Sequence, residues 1–255
     1  MLSPTEITKT AIQVGVGKAK LPWWKMLVLG IFAGMFIALA GVGATFGNVY
    51  GGKIAGACIF TAGLAMVVVA GSELFTGNNL MIMALFDRKI KLSQMLLNWL
   101  LVFIGNFIGA IFVTTVVVIS GAFDAIPDAV VNTANAKVNL GFFEALLKGI
   151  MCNFLVCIAV WMAFSANTVS GKIMAVFLPV MLFVLCGFEH SIANMFFIPA
   201  GTLTGAIYNL PAPGFTSFLL NNLTPVVIGN IIGGSLLVGC GYYVAYHTSE
   251  KKPKK

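Results

Sequence analysis

Apolar and polar positions alternate along this chain on the scale of whole helices, giving six long hydrophobic stretches parted by brief polar punctuation. Uncharged runs cover Met26–Gly52, Ile54–Ser72, Leu92–Phe123, Gly149–Gly171 and Leu210–Thr248. Each is long enough to hold a membrane-spanning helix of about 20 residues. The segment Ile173–Tyr208 supplies a sixth span. Ahead of them, Ser3-Pro4-Thr5-Glu6 is a capping box with proline at the first helical position, which predicts a short helix from Pro4 towards Gly15. Ile7, Ala11 and Val14 would share its apolar face, as an interfacial helix on the cytoplasmic surface or under a pore mouth. The expected organisation is a cytoplasmic segment over 1–24, a six-helix transmembrane unit over 25–247 and a basic, solvated tail over 248–255. The polar start makes a cleaved signal peptide the poorer reading of the first span.

Two of the hydrophobic stretches are interrupted in the same way. Gly71-Ser72-Glu73-Leu74-Phe75-Thr76-Gly77-Asn78 and Gly187-Phe188-Glu189-His190-Ser191-Ile192-Ala193-Asn194 share the pattern Gly-x-Glu-x-x-x-x-Asn. An acid near the centre of a membrane helix costs about 2.5–3.5 kcal/mol on insertion scales, so it must face protein or a water-filled cavity. A second correspondence lines up 97–109 with 221–233 without a gap, around Ile104-Gly105-Asn106 and Ile228-Gly229-Asn230. Three spans per half give the copies opposite orientations. The pattern predicts an all-α membrane protein built as an inverted 3+3 repeat, each half carrying one broken helix, with the substrate path near the pseudo-two-fold axis. Recurrent Gly-x-x-x-Gly pairs, among them Gly30/Gly34, Gly105/Gly109 and Gly229/Gly233, predict close helix crossings.

Composition agrees with this reading. The 255 residues are 59% hydrophobic and only 9% charged, with a mean hydropathy of +0.99, outside the range of soluble domains. With both termini cytoplasmic, twelve of the fifteen basic residues fall inside, leaving Lys53, Lys137 and Lys148 outside. A basic rim beside anionic headgroups accounts for the net charge of +7 without a nucleic-acid partner. The five cysteines lie in the hydrophobic runs without CxxC or Cys/His spacing, and read as small buried hydrophobes. No metal or cofactor is expected.

His190 is the only histidine within a predicted span, placed beside Glu189 in the second interruption. A neutral imidazole there can offer a hydrogen bond or a proton to an anion; a core ring satisfied by its neighbours is the plainer alternative. Thr76, in the first interruption, can reach His190 or a ligand across the axis. Glu73 and Glu189 would repel an anion, and read as structural acceptors for backbone N–H groups of their own loops. Lys148, at the head of the fourth span, and Lys137, in the loop before it, can raise the local anion concentration at an outer mouth. Glu144 stands four residues before Lys148, so an ion pair within one helix competes with that role.

The runs GSELFT (71–76), NWLLVFIGNFIG (98–109), GFEHSIANMFFIP (187–199) and NLTPVVIGNIIGG (222–234) closely resemble the formate/nitrite transporter family over nearly the whole chain. The resemblance implies an aquaporin-like fold, a homopentamer in the inner membrane, and one pore per protomer for small monovalent anions. It matches His190 to the family's central pore histidine, Thr76 to its partner, Asn153 and Asn230 to pore asparagines, and Lys137 to the outer lysine. Leu74, Phe75 and Val156 match an outer constriction and Phe183 an inner one. Compact outer loops look more like the hydrosulfide branch than the formate branch.

The expected activity is a channel for hydrosulfide, formate or nitrite, with a proton-coupled carrier of the same anions as the alternative. A membrane enzyme fits poorly. His190 and Ser191 are chain neighbours, a poor geometry for a nucleophile and its base, and a single intramembrane histidine leaves no bis-histidine haem.

Overall fold

The computed structural model describes residues 1–247, and the expected tail at 248–255 lies outside them. All regular structure among the described residues is helical: α1 (Pro4–Ala19), α2 (Trp23–Ala70), α3 (Phe75–Phe86), α4 (Leu92–Ile119), α5 (Pro127–Val138), α6 (Phe142–Phe164), α7 (Val169–Leu185), α8 (Ser191–Tyr208) and α9 (Phe215–Tyr246). Four of these, α2, α4, α6 and α9, are long and apolar enough to cross a membrane.

Helix α2 has 48 residues. At 1.5 Å per residue a straight helix of that length would extend about 70 Å, more than twice the hydrocarbon thickness. It reverses instead at Gly52, whose φ of +78° suits only a residue without a side chain. Past the turn, Gly56 lies against Gly47 and Gly63 against Ala40, so the two arms run antiparallel.

The predicted capping box at the start of α1 is present. The Ser3 hydroxyl accepts from Glu6 N–H, while Glu6 accepts from Ser3 N–H at 2.7 Å. These bonds hold the Glu6 carboxyl below the usual carboxylate range. The helix continues past the expected end at Gly15 as far as Ala19, with Ile7 and Ala11 buried. It packs beneath α3, against Met81 and Ala84.

Glycines set two equivalent helix crossings. A Cβ on Gly109 of α4 would sit 2.0 Å from the carbonyl oxygen of Ile31, and one on Gly34 would sit 2.1 Å from that of Asn106. In the other half, a Cβ on Gly233 of α9 would lie 2.1 Å from the Ile150 oxygen of α6. Backbone meets backbone at both crossings, as small-residue motifs permit. Helix α9 carries π-helical turns at Phe218–Leu223 and Ile232–Cys240.

The loop expected before the fourth span is itself helical. Helix α5 buries Val130, Val131, Ala134 and Val138 and packs on α8. The cysteines are corrected as a group: Cys152 and Cys157 are buried, but Cys58 and Cys240 are only partly covered, and Cys186 is exposed where it caps α7.

Gly109→Ala and Gly233→Ala are expected to destabilise the fold by about 2 kcal/mol or more, since the added methyl must separate two backbones. Gly17→Ala, on the exposed face of α1 with nothing within 4 Å of the new atom, is expected to be neutral or stabilising by up to about 1 kcal/mol. Unfolding midpoints in detergent compare them; equal midpoints for all three would mean that the close crossings are not required.

Candidate functional site

Both predicted interruptions are real breaks in helical backbone. The second arm of α2 stops at Ala70, Gly71 takes a left-handed conformation (φ +77°), and α3 starts at Phe75. In the other half α7 stops at Leu185, Gly187 is left-handed (φ +69°), and α8 starts at Ser191. Non-helical backbone at this depth is tolerated only where its polar groups find partners.

Asparagines supply them. Asn106 of α4 accepts the Phe75 N–H at 3.0 Å and donates to the carbonyl oxygens of Gly30 and Glu73 at 2.8 and 2.9 Å. Asn230 of α9 accepts the Ser191 N–H at 2.9 Å and donates to those of Gly149 and Glu189 at 2.8 and 3.0 Å. The Glu73 N–H reaches Leu29 and the Glu189 N–H reaches Lys148, residues that directly precede those two glycines. The two breaks are therefore held bond for bond in the same way.

The carboxylates correct the expectation that they accept backbone N–H groups. Lys18 donates to Glu73 Oε1 at 2.6 Å, and Asn78 to Oε2 at 2.7 Å. Lys137 donates to Glu189 Oε1 at 2.9 Å, and Asn194 to Oε2 at 2.6 Å. Asn78 also donates to Asn98 and Asn194 to Asn222, which in turn donate to the carbonyl oxygens of Lys18 and Lys137. Side-chain donors win because the loop N–H groups are already engaged by carbonyls and by Asn106 and Asn230, while a buried carboxylate needs a counter-charge.

The loops meet at their tips. The Thr76 hydroxyl lies 2.9 Å from His190 Nε2, with Thr76 fully buried and His190 only 3% exposed. His190 Nδ1 accepts the Ala193 N–H at 3.0 Å, capping α8. An accepting Nδ1 carries no proton, so the neutral ring bears its hydrogen on Nε2 and donates it to Thr76. The Thr76 hydroxyl hydrogen is then available to a third partner.

Asn153 lies behind this pair: its amide donates to the Thr76 carbonyl, to Asn79 and to the Asn230 carbonyl. The Cys157 thiol also donates to the Thr76 carbonyl.

Aromatic and aliphatic side chains flank the centre. Phe183 stacks on His190 with centroids 5.9 Å apart and meets Phe60 edge to face at 6.0 Å. Phe60 stacks in turn on Phe197, over which the Lys137 ammonium sits. Phe183 thus lies on the α5 side. Leu74 lines the cavity on the α1 side, Phe75 is wedged edge to face against Trp99 and Phe103, and Val156 is buried on α6. Leu74 thus lies on the α1 side of the centre and Phe183 on the α5 side. Lys137 is correspondingly not a loop residue but part of α5. Lys148 pairs with Glu144 at 2.7 Å, the competing arrangement foreseen for it.

A family profile described as formate/nitrite transporter matches residues 5–244. The chain belongs to the formate/nitrite transporter family. It is 39% identical to an uncharacterized transporter, YrhG, of Bacillus subtilis, over 99% of this chain and 96% of that protein. It is 38% identical to the formate channel FocA of Escherichia coli K12, over 96% of this chain and 95% of that protein. Among solved structures, it resembles a pentameric formate channel with formate bound at a TM-score of 0.77 and 33% identity, covering 88% of this chain and 97% of that one. Membership in a family of channels and transporters makes this a multi-pass membrane protein.

Sequence reasoning missed Lys18, Asn78, Asn98, Asn106 and Asn194 as parts of the centre, together with Phe60. The asparagines were visible in the repeat itself, since Asn78 and Asn194 close the two matching octads and Asn98 and Asn106 pair with Asn222 and Asn230 in the aligned segments. Phe60 carried no signal.

Asn106→Leu and Asn230→Leu each remove three hydrogen bonds from a buried break. At about 1–3 kcal/mol for each orphaned group, a loss of at least 3 kcal/mol is expected for either. Asn135→Ala, which removes one surface bond to Pro211, is expected to cost under about 1 kcal/mol. Chemical unfolding in detergent decides; similar losses for all three would contradict the role given to Asn106 and Asn230.

Proposed function

We propose that this chain forms an inner-membrane pore for small monovalent anions of weak acids, with formate as the first candidate. In this reading it crosses the membrane six times as two inverted three-span halves, with both termini cytoplasmic and one pore in each protomer of a pentamer. The observation that carries the proposal is the Thr76–His190 contact between the two broken-helix tips. The formate channels among its relatives, and the pentameric structural neighbour with formate bound, support substrate and assembly. The antiparallel arms of α2 and the matching glycine crossings support the inverted repeat.

The centre suits an anion although no cation lies at its midpoint. Helices α3 and α8 both begin there, and their N-terminal ends carry partial positive charge. The Thr76 hydroxyl hydrogen, left free because Nε2–H already donates to the Thr76 oxygen, offers a donor for a carboxylate or carboxyl oxygen. A histidine in this tautomer has no second proton to release, since loss of Nε2–H would leave an imidazolate. The proton that neutralises the anion therefore comes from water in a vestibule, and His190 with Thr76 holds the species in passage.

Magnitudes favour that order. Placing a carboxylate-sized ion in a dry interior costs several kcal/mol even after relaxation. Protonating a carboxylate of pKa near 3.5 at neutral pH costs about 5 kcal/mol and removes the charge before the apolar side chains Leu74 and Phe183 are reached. A proton-coupled carrier remains the alternative, and the same tight centre would serve it. Hydrosulfide, suggested by the outer loops, has the weaker footing, because the segment taken as a compact loop contains α5 and the Escherichia coli relative is a formate channel.

In proteoliposomes, formate flux is expected to rise as pH falls and to exceed that of chloride. Thr76→Val is expected to lower it by tenfold or more while Thr76→Ser retains most of it, one charge-relevant hydrogen bond being worth about 1.5–3 kcal/mol. His190→Phe should abolish the preference among formate, nitrite, hydrosulfide and chloride. If His190→Phe keeps wild-type selectivity and pH dependence, the ring is a packing residue and the proposed centre is wrong.

A further inference from the structure

The cavity on the α1 side of the first break holds a charge that no other described residue lining it balances. Its volume is about 380 Å³, and α1, the second arm of α2, α3 and the C-terminal end of α6 wall it. Three charged residues line it: Lys18, Glu73 and Lys172. Lys18 and Glu73 neutralise one another at 2.6 Å. Lys172, in the first turn of α7, has no carboxylate within 4.0 Å among the described residues. The cavity is left with one positive charge. Ser72, in the same wall, has a buried hydroxyl without a hydrogen-bond partner. On the α5 side Lys137 and Lys148 are both paired with glutamates, and Lys53 is exposed at the turn of α2.

We propose that Lys172 and Ser72 form an anion-holding subsite in this cavity for one small monovalent carboxylate or oxyanion, loaded from the face that bears α1. The inference rests on the anion-pore reading above and deepens it. One unbalanced charge calls for one monovalent counter-ion, and the volume leaves room for it to arrive hydrated. The Ser72 hydroxyl donates to it once it is seated. Glu73 stands in the same cavity, but its oxygens are occupied by Lys18 and Asn78. Because Lys137 and Lys148 are both paired and Lys53 stands exposed at the turn of α2, away from the second break, the two faces differ in affinity: entry from the α1 face saturates at the lower concentration.

Uptake of radiolabelled formate into right-side-out and inside-out membrane vesicles tests this, the α1 face being identified by cleavage of an N-terminal tag. Lys172→Gln is expected to raise the half-saturating concentration from the α1 face by about tenfold, without changing the maximal rate or entry from the other face. Lys172→Arg restores most of the affinity, and Ser72→Ala shifts it by about threefold, as for one neutral hydrogen bond. Unfolding midpoints equal to wild type exclude misfolding as the cause. If the wild type takes up no formate from either face, the pore reading fails and the subsite with it. If the wild type transports but Lys172→Gln leaves half-saturation unchanged, or lowers only the maximal rate, the pore stands and the subsite is refuted.

Discussion

A break in helical backbone inside an apolar medium survives only if each freed N–H and C=O finds a partner, and this requirement organises the whole centre. Asn106 and Asn230 each satisfy one N–H and two carbonyls. Glu73 and Glu189 fix the asparagines that follow them, and each carboxylate is paired with a lysine. The lysines come from α1 and α5, the two short helices that lie outside the long apolar runs. Removing the requirement would remove the reason for most of the buried polar residues in the molecule.

The same logic changes the standing of α1. By composition it is an appended amphipathic helix, yet its Lys18 does for Glu73 what Lys137 of α5 does for Glu189, and the carbonyl oxygens of both lysines accept from matching asparagines. Each break is thus served by a short proline-initiated helix, α1 for the first and α5 for the second. The halves are alike in how they hold their breaks and unlike in what surrounds them. Phe183, Phe60 and Phe197 crowd the α5 side, whereas Leu74 opens onto a cavity on the α1 side.

Much of this was legible from residue order, where the physics is local or periodic. The capping box at Ser3–Glu6, the left-handed glycines ahead of both acids, and the glycine pairs at the crossings follow from short-range rules. Thr76 and His190 were singled out because each lies in one of the two matching interruptions, although they stand two positions out of register there, Thr76 against Ile192 and His190 against Leu74. What a repeat cannot show is which of several nearby donors a carboxylate selects. Glu73 and Glu189 looked like acceptors for loop N–H groups, and lost those partners to asparagines some thirty to forty residues away in the chain. Helix α5 was hidden because its apolar positions, Val130, Val131, Ala134 and Val138, are spaced for burial on one face within a segment too polar to read as a span.

The account depends most directly on the hydrogen-bonded state of one ring. Solid-state 15N spectra of the protein in lipid, with His247→Asn leaving His190 as the sole histidine, report that state. A neutral ring protonated at Nε2 and bare at Nδ1 at neutral pH is the result predicted by the Ala193 N–H and Thr76 contacts. A ring protonated at Nδ1, or at both nitrogens, would break the cap on α8 and contradict the centre described here.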